Sequence, residues 1–201
     1  MTEPLQLTSS TSALLVMDFQ NAIVENNAPE AGRAALLANA AALLRAARAA
    51  QMAVIHVMVG FRPGHPEVSA RNRLFSAARQ RGLYVLGDPG TAIHAEVAPI
   101  DGEAVVVKHR VGAFSDTDLA TLLRARNVDT LVLAGIATSG VVLSTVRTAF
   151  DLDYRLVVVR DACADADDEQ HRVLLDKVLA KQAEVVLSAQ VVQALAATAH
   201  V

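Results

Sequence analysis

The sequence contains few cysteines, few aromatic residues and none of the common nucleotide or metal motifs. Cys163 is the one cysteine among 201 residues, and aromatic residues make up 3% of the chain. A single cysteine excludes an internal disulfide and any metal cluster built on several cysteines. No G-x-G-x-x-G or Walker A loop and no HExxH or D-x-H grouping is present. We therefore predict no cofactor and no bound metal.

Strong net charge and targeting signals are also missing. The formal net charge of −3 gives no electrostatic argument for binding nucleic acid or an anionic membrane. Residues 1–12 lack the basic and apolar regions of a signal peptide, and no apolar stretch approaches the length that spans a bilayer. The sequence therefore predicts a cytoplasmic protein that binds neither nucleic acid nor membrane.

Aliphatic residues dominate the chain, which is 53% hydrophobic. Short Val-rich runs alternate with segments of helical period, and such runs are typical of strands buried on both faces. This alternation predicts an α/β fold with a parallel sheet of about six strands, and the length favours one domain over residues 1–201. The predicted strands are 13–18, 53–59, 104–108, 130–135, 155–160 and 184–187. The predicted helices are 29–50, 116–126, 140–152, 167–180 and 188–198. Asp116 is the predicted cap of the second of these helices, and Asp165, Asp167 and Asp168 suit the N-terminus of the fourth.

Residues 60–103 depart from this pattern. They carry four of the six prolines and six of the ten glycines, and a long irregular segment in a compact domain is usually functional. The segment follows the second predicted strand, so it begins at the same sheet edge as the candidate site below. We interpret it as a lid or an oligomer contact, with Arg62, His65 and Arg71 as possible lid residues.

Three predicted strands end on groups that do not belong in a core. Asp18 ends LLVMD, Lys108 ends VVVK, and LVLAGIATSG ends in a hydroxyl- and glycine-containing turn. Ligands of open parallel sheets bind outside the carboxyl ends of the strands, so these groups predict one site for a small-molecule substrate. Asp18 could instead cap the next element, and Lys108 could be a surface lysine that extends to solvent. Together the two could form an acid–base pair.

The turn consists of Ala137, Thr138, Ser139, Gly140 and Val141. Its two hydroxyl residues can cap the following helix, and Gly140 lets the backbone approach a ligand. The amides of the first helical turn form a natural site for an anion or oxyanion. Ser139 is a weak nucleophile candidate, because no G-x-S-x-G elbow is present and no histidine is placed to activate it.

The remaining candidates favour structural roles. His56 lies inside a predicted strand and fits a core position, while His94, His171 and His200 fall in helical or terminal segments. Cys163 follows a strand and could approach the site, but small buried cysteines are common.

These motifs resemble the isochorismatase-like hydrolases, also called the cysteine hydrolase superfamily. The resemblance runs from ALLVMDFQNAIV through VVVKHRVGAFSDTDL and LVLAGIATSGVVLSTVRTAF to RLVVVRDACAD. It implies a three-layer, Rossmann-like α/β fold, a site at the strand ends, and a homo-oligomer (dimer or tetramer) whose neighbours can complete the pocket.

The resemblance also implies the roles of individual residues. Amidases of this family use an Asp–Lys–Cys triad, and Asp18 and Lys108 match its first two members. The nucleophile position falls on Val141, whose side chain cannot attack a carbonyl. The family's oxyanion hole, made by amides of this turn, would survive that change. A non-proline cis peptide is expected in the turn, before Thr138. The metal-binding aspartate and histidine set of nicotinamidases is absent.

Three interpretations remain open at this stage. True isochorismatases protonate a vinyl ether without a thiol, so Asp18 could supply acid–base chemistry on an amide, ureide or vinyl-ether substrate, with Lys108 as its electrostatic partner. The chain could instead be a silent member that binds a metabolite or serves as an assembly subunit. Val141 could also be an engineered inactivation.

Overall fold

The computed structural model describes residues 4–198, so His200 and the ends of the predicted domain lie outside the described part. Its centre is a six-stranded sheet in which neighbouring strands pair in parallel. The strands are β1 (Ser12–Met17), β2 (Ala53–Val59), β3 (Ala104–Lys108), β4 (Thr130–Ile136), β5 (Arg155–Ala164) and β6 (Glu184–Val186). Their spatial order is β3-β2-β1-β4-β5-β6, which confirms the predicted parallel α/β architecture.

Seven α-helices connect and cover the strands of the described part. They are α1 (Asn21–Asn27), α2 (Glu30–Ala49), α3 (Arg73–Gln80), α4 (Leu119–Ala125), α5 (Leu143–Asp151), α6 (Asp168–Val173) and α7 (Ser188–Thr198). Thr138–Val142, directly after β4, and Leu174–Val178 form π-helical turns. Within residues 4–198, no helix is both long enough and apolar enough to cross a membrane.

The sheet is buried on both faces because its strands alternate between two apolar cores. In β1, Leu14 and Val16 belong to the core that includes α2 and α7, whereas Leu15 and Met17 belong to the core that includes α4 and α5. All four side chains are at most 2% exposed. Each buried side chain of this size stabilises the fold by about 1.5–3 kcal/mol. Because both faces of the sheet are buried, the strands appear in the sequence as continuous apolar runs.

Several predicted boundaries need correction. The segment 60–103 is not wholly irregular, because it contains α3, which Asn72 caps by accepting a hydrogen bond from Phe75 N–H at 3.1 Å. Asp116 does not cap the next helix: it has a left-handed φ of 57°, and α4 begins only at Leu119. The acidic cap of α6 is confirmed, since Asp167 accepts a hydrogen bond from Gln170 N–H at 3.0 Å.

A charged cluster joins α2, β2 and the residue before β3. The Glu103 carboxylate pairs with Arg48 at 2.8 Å and accepts from His56 Nε2 at 3.0 Å. These hydrogen bonds and the Arg48 charge outweigh burial and lower the pKa of Glu103 from 4.5 to about 2. Burial lowers the pKa of His56, whose ring is 0% exposed, so His56 stays neutral and satisfies the predicted core role.

This cluster makes the fold sensitive to acid. Because the folded-state pKa of Glu103 is depressed, its contribution is full above pH 4.5 and is lost as the pH falls towards about 2. The full shift is worth about 3 kcal/mol in the free energy of unfolding. Below the usual pKa of histidine the protein loses further stability, because His56 takes up a proton more readily in the unfolded chain than in the folded one. Urea titrations between pH 3 and pH 7 should show this slope, and a Glu103→Gln variant should flatten it. An unchanged slope in the variant would contradict the assignment.

Candidate active site

The candidate site lies where the strand order of the sheet reverses. The chain leaves β1 to build β2 and β3 on one side, then returns to place β4 on the other side of β1. In open α/β sheets such a switch point opens a crevice at the carboxyl ends of the strands. Asp18 follows β1, Ala137 follows β4, and Lys108 ends β3. The structure therefore brings together the three groups that the sequence places at strand ends.

Asp18 and Lys108 form a buried ion pair. Lys108 Nζ lies 2.8 Å from Asp18 Oδ2, and the two side chains are 2% and 7% exposed, respectively. Lys108 also donates a hydrogen bond to the carbonyl of Arg110 at 3.1 Å. Asp18 has a left-handed φ of 58°, and its N–H donates to Val57 O at 2.8 Å. The sequence alternatives of a capping Asp18 and a solvent-exposed Lys108 do not fit this arrangement.

The carboxyl group of Asp18 is suited to hold a proton. Burial raises the pKa of Asp18, and the charge and hydrogen bond of Lys108, with a smaller effect of the Val59 N–H, oppose that rise; the Val59 N–H itself donates to Gln20 Oε1 at 2.8 Å. Oδ2 is occupied by Lys108, whereas Oδ1 is buried and has no hydrogen-bond partner among the described residues. One oxygen is thus anchored, and the other is free to accept or donate a proton.

The turn after β4 is fixed by hydrogen bonds from β5 and α6. Asp165 Oδ2 accepts from Ser139 N–H at 2.7 Å. The Thr138 hydroxyl donates to Ala164 O at 3.2 Å and lies 2.8 Å from His171 Nδ1. Asp165 therefore does the capping that the sequence assigns to Thr138 and Ser139, and that prediction is wrong.

The backbone of this turn offers a free donor. The peptide between Ile136 and Ala137 is cis, so the position expected from the sequence, before Thr138, is wrong by one residue. Gly140 and Val142 direct their N–H groups to Ala137 O at 3.1 and 3.3 Å. The Ala137 N–H has no hydrogen-bond partner within the described part of the chain.

A cavity of about 620 Å³ connects these groups. Asp18, Lys108 and the turn form one wall, and residues from α3 and the segment after it form another. Val141, at the predicted nucleophile position, is among the lining residues and is 1% exposed. The lining residues are Asp18, Ile23, Asn27, Val59, Leu74, Phe75, Ala77, Ala78, Arg81, Leu83, Tyr84, Lys108, Val111, Ile136, Ala137, Ser139, Gly140, Val141 and Ser144.

The three predicted lid residues lie away from this lining. Arg62 is 69% exposed at its side chain and pairs with Glu67 at 2.6 Å. His65 is only 3% exposed and lies 2.7 Å from Leu83 O through Nε2. Arg71 is exposed. The segment reaches the cavity through α3 and its C-terminal end instead.

Gln20 ties this segment to the end of the sheet. Its amide nitrogen donates to Val59 O and Thr91 O, both at 2.8 Å, and its oxygen accepts from Val59 N–H at 2.8 Å. The side chain is 0% exposed and fully bonded. Gln20, which follows the end of β1, thus fixes the positions of the end of β2 and of Thr91 in the later segment.

Cys163 lies outside the cavity that holds the ion pair. Its thiol donates to Leu133 O at 3.8 Å, and it lines a separate cavity of about 360 Å³ beside the start of α2. Burial raises the pKa of the Cys163 thiol to about 12, which keeps it protonated and unreactive. No group of three His, Cys, Asp or Glu residues within residues 4–198 could hold a metal ion.

Four residues of the site were not identified from the sequence. Asp165 and His171 contact the turn across 26 and 33 positions, which no local pattern reveals. Arg81 and Tyr84 line the cavity from the segment that lacks regular periodicity. The signal for Arg81 was the excess of arginines between residues 62 and 81, which did not distinguish one arginine from another.

Characterised relatives cover most of this chain. A maleamate amidohydrolase from Pseudomonas putida is 34% identical over 185 residues, which cover 91% of this chain and 86% of that protein. The ureidoacrylate amidohydrolase RutB from Variovorax paradoxus is 35% identical over 179 residues, which cover 80% of this chain and 71% of that protein.

A solved structure and a family model agree with these relatives. An isochorismatase family protein from Burkholderia thailandensis matches with a TM-score of 0.82 and 31% identity, and the match covers 96% of this chain and 100% of that one. Residues 12–190 match the family model of the isochorismatase domain. The chain therefore belongs to the isochorismatase family of the cysteine hydrolase superfamily.

Proposed function

We propose that this protein hydrolyses a small amide, ureide or vinyl-ether substrate by acid–base chemistry at Asp18 and Lys108, without a cysteine nucleophile. One observation carries the proposal. The 2.8 Å ion pair lines the same cavity as the turn after β4, and it leaves the buried Oδ1 of Asp18 without a hydrogen-bond partner among the described residues. A carboxyl group whose pKa is raised by burial is a suitable general acid or base for such chemistry.

For an amide or ureide, Asp18 first acts as a base. Water gives a proton to Oδ1, and its oxygen bonds to the carbonyl carbon. The resulting oxyanion is stabilised by Ala137 N–H and by the charge of Lys108. Asp18 then returns the proton to the departing nitrogen, and the C–N bond breaks to release a carboxylic acid or carbamate and an amine.

For a vinyl ether, Asp18 begins as an acid. It donates its proton to the enol carbon, and the neighbouring carbon becomes an oxocarbenium ion. Water adds to that carbon and returns a proton to Asp18. The hemiketal then breaks into a carbonyl compound and an alcohol. Both reactions use one exchangeable proton on Asp18. Lys108 stabilises the oxyanion in the amide reaction, and in the vinyl-ether reaction it stabilises the carboxylate that Asp18 becomes after it donates its proton.

The relatives favour the amide class. Maleamate and ureidoacrylate, the substrates in the names of two relatives, each combine a carboxylate with an amide or ureide group. The family's nucleophile position is assigned to Val141, and the raised pKa of buried Cys163 argues against its replacing that group. We therefore propose direct attack by water.

One feature favours a second function, a silent protein that binds a metabolite or serves as an assembly subunit. Asp18 and Lys108 are only 7% and 2% exposed, and a sealed ion pair could not act on a substrate. Their position in the cavity lining favours the catalytic proposal instead.

Three further expectations belong to this proposal. They are a single domain over residues 1–201, a homo-oligomer (dimer or tetramer), and a cytoplasmic location. The family resemblance implies that a neighbouring subunit contributes to the pocket.

A substrate screen tests the proposed function. The purified protein is incubated with maleamate, ureidoacrylate, neutral amides and isochorismate, and products are followed by chromatography and ammonia release. We expect turnover of at least one amide or ureide. Binding of these compounds without turnover of any would favour the silent alternative.

A further inference from the structure

The charges that line the cavity do not cancel. Three charged side chains contribute to the wall, the negative Asp18 and the positive Lys108 and Arg81. Asp18 and Lys108 neutralise each other at 2.8 Å, so Arg81 leaves one uncompensated positive charge. Among the described residues, the Arg81 guanidinium forms neither an ion pair nor a hydrogen bond.

The backbone around Arg81 is fixed. Its N–H donates to Ala77 O and Ala78 O, both at 3.2 Å, at the end of α3. Gly82 then turns the chain with a left-handed φ of 65°, and Leu83 N–H donates back to Ala78 O at 2.9 Å. The backbone from which the exposed Arg81 side chain extends is therefore held at the helix end.

Tyr84 links this arginine to the ion pair. Tyr84 lines the same cavity, and its main-chain oxygen accepts from Phe61 N–H at 2.8 Å. The negative charge of Asp18 raises the pKa of Tyr84, after burial, and the positive charge of Arg81 lowers it. Asp18, Arg81 and Tyr84 all line this one cavity. A small ligand could reach from the guanidinium to Asp18 along this wall.

We infer that Arg81 binds the carboxylate of the substrate and so selects anionic amides or ureides over neutral ones. This inference rests on the proposed function and names its substrate class. A guanidinium binds a carboxylate through two parallel charge-assisted hydrogen bonds. That contact would place the other end of a short substrate at Asp18 and Lys108, where the C–N bond is to be cleaved.

The alternative to ligand binding is that Arg81 only stabilises α3, because cations stabilise helix C-termini. Arg79 offers a matched control. It lies in the last turn of the same helix and is exposed, as Arg81 is, but it is absent from the cavity lining. Substitution of either arginine by glutamine removes the same charge from the same helix end, but only Arg81 faces the cavity.

The experiment compares wild type, Arg81→Gln and Arg79→Gln on maleamate and on maleamide, its neutral diamide. We expect Arg81→Gln to lower kcat/KM for maleamate about 10- to 100-fold and for maleamide less than about threefold, with Arg79→Gln close to wild type. Calorimetric Kd values for the same pairs should follow the same pattern. Arg81→Lys keeps the positive charge but cannot form two parallel hydrogen bonds to a carboxylate, so it should recover part of the lost kcat/KM.

The outcomes separate this inference from the proposed function. If turnover is absent but maleamate binding weakens only in Arg81→Gln, the proposed hydrolytic function is wrong and the carboxylate-binding role of Arg81 is supported. If turnover occurs and the two glutamine variants lose equal affinity, hydrolysis stands and the role of Arg81 is overturned. A wild-type protein that does not prefer maleamate to maleamide, in binding or in turnover, also overturns that role.

Discussion

Asp18→Asn should lower kcat by about 10²- to 10⁴-fold, the range that a positioned acid or base contributes. Asparagine keeps the size of the side chain and can still accept a hydrogen bond from Lys108, but it carries no exchangeable carboxyl proton. The unpartnered Oδ1 is the atom whose chemistry is lost. Steady-state kinetics on the best substrate of the screen measure the effect.

The substitution also leaves the ammonium of Lys108 buried without a counter-ion. Removal of one partner of a buried pair costs about 3–5 kcal/mol in the free energy of unfolding, so folding must be measured beside activity. A double variant, Asp18→Asn with Lys108→Met, should recover stability without recovering turnover. If the double variant regained turnover, the ion pair would have only a structural role.

Asp116 supplies the matched control for Asp18. It is exposed, and its φ of 57° is close to the 58° of Asp18. Asp116→Asn makes the same chemical change in the same backbone conformation, at a residue that is not part of the cavity lining. We expect its kcat to remain within about twofold of wild type, because surface substitutions of this kind change stability by about 0.5 kcal/mol or less.

Val141→Cys should convert the site to thiol chemistry. Cysteine is smaller than valine, so it fits the wall without displacing its neighbours, and the positive charge of Lys108 on the same cavity favours the thiolate. We expect amide turnover to rise at least about tenfold, because an activated nucleophile divides the reaction into two easier steps. Mass spectrometry after rapid mixing should detect a covalent acyl-enzyme.

The Val141→Cys experiment is cleanest in a Cys163→Ala background, where the introduced thiol is the only one in the chain. Iodoacetamide should then label one site, and a substrate that occupies the cavity should protect it. A thiol that reacts no faster than a free cysteine, with no gain in turnover, would contradict the placement of residue 141 against the substrate.

The sequence predicts the parts of the fold that have strong local signals. The Val-rich runs of β2, β3 and β4 and the Ala/Leu-rich α2 fall close to their predicted limits. Helix α1 was missed because NAIVENN is one short segment with β-branched and Asn residues, which disfavour helices. Helix α3 was missed because it lies among the prolines and glycines of residues 60–103.

The candidate site was predictable only where chemistry follows directly from a strand end. Asp18 and Lys108 each follow an apolar run, and the rule for parallel sheets places them at one edge. The clamp of Asp165 and His171 on the turn depends on contacts 26 and 33 residues apart, and the position of Arg81 depends on how α3 packs. Such tertiary contacts leave no mark on local periodicity.

The most direct test of thiol-independent hydrolysis is the turnover of Cys163→Ala, because this single substitution removes every thiol from the chain. The side chain is 4% exposed, and its truncation should cost only about 1 kcal/mol of stability. We predict a kcat/KM within about threefold of wild type for a folded variant. A folded Cys163→Ala protein that has lost its turnover would contradict the account and assign the chemistry to Cys163.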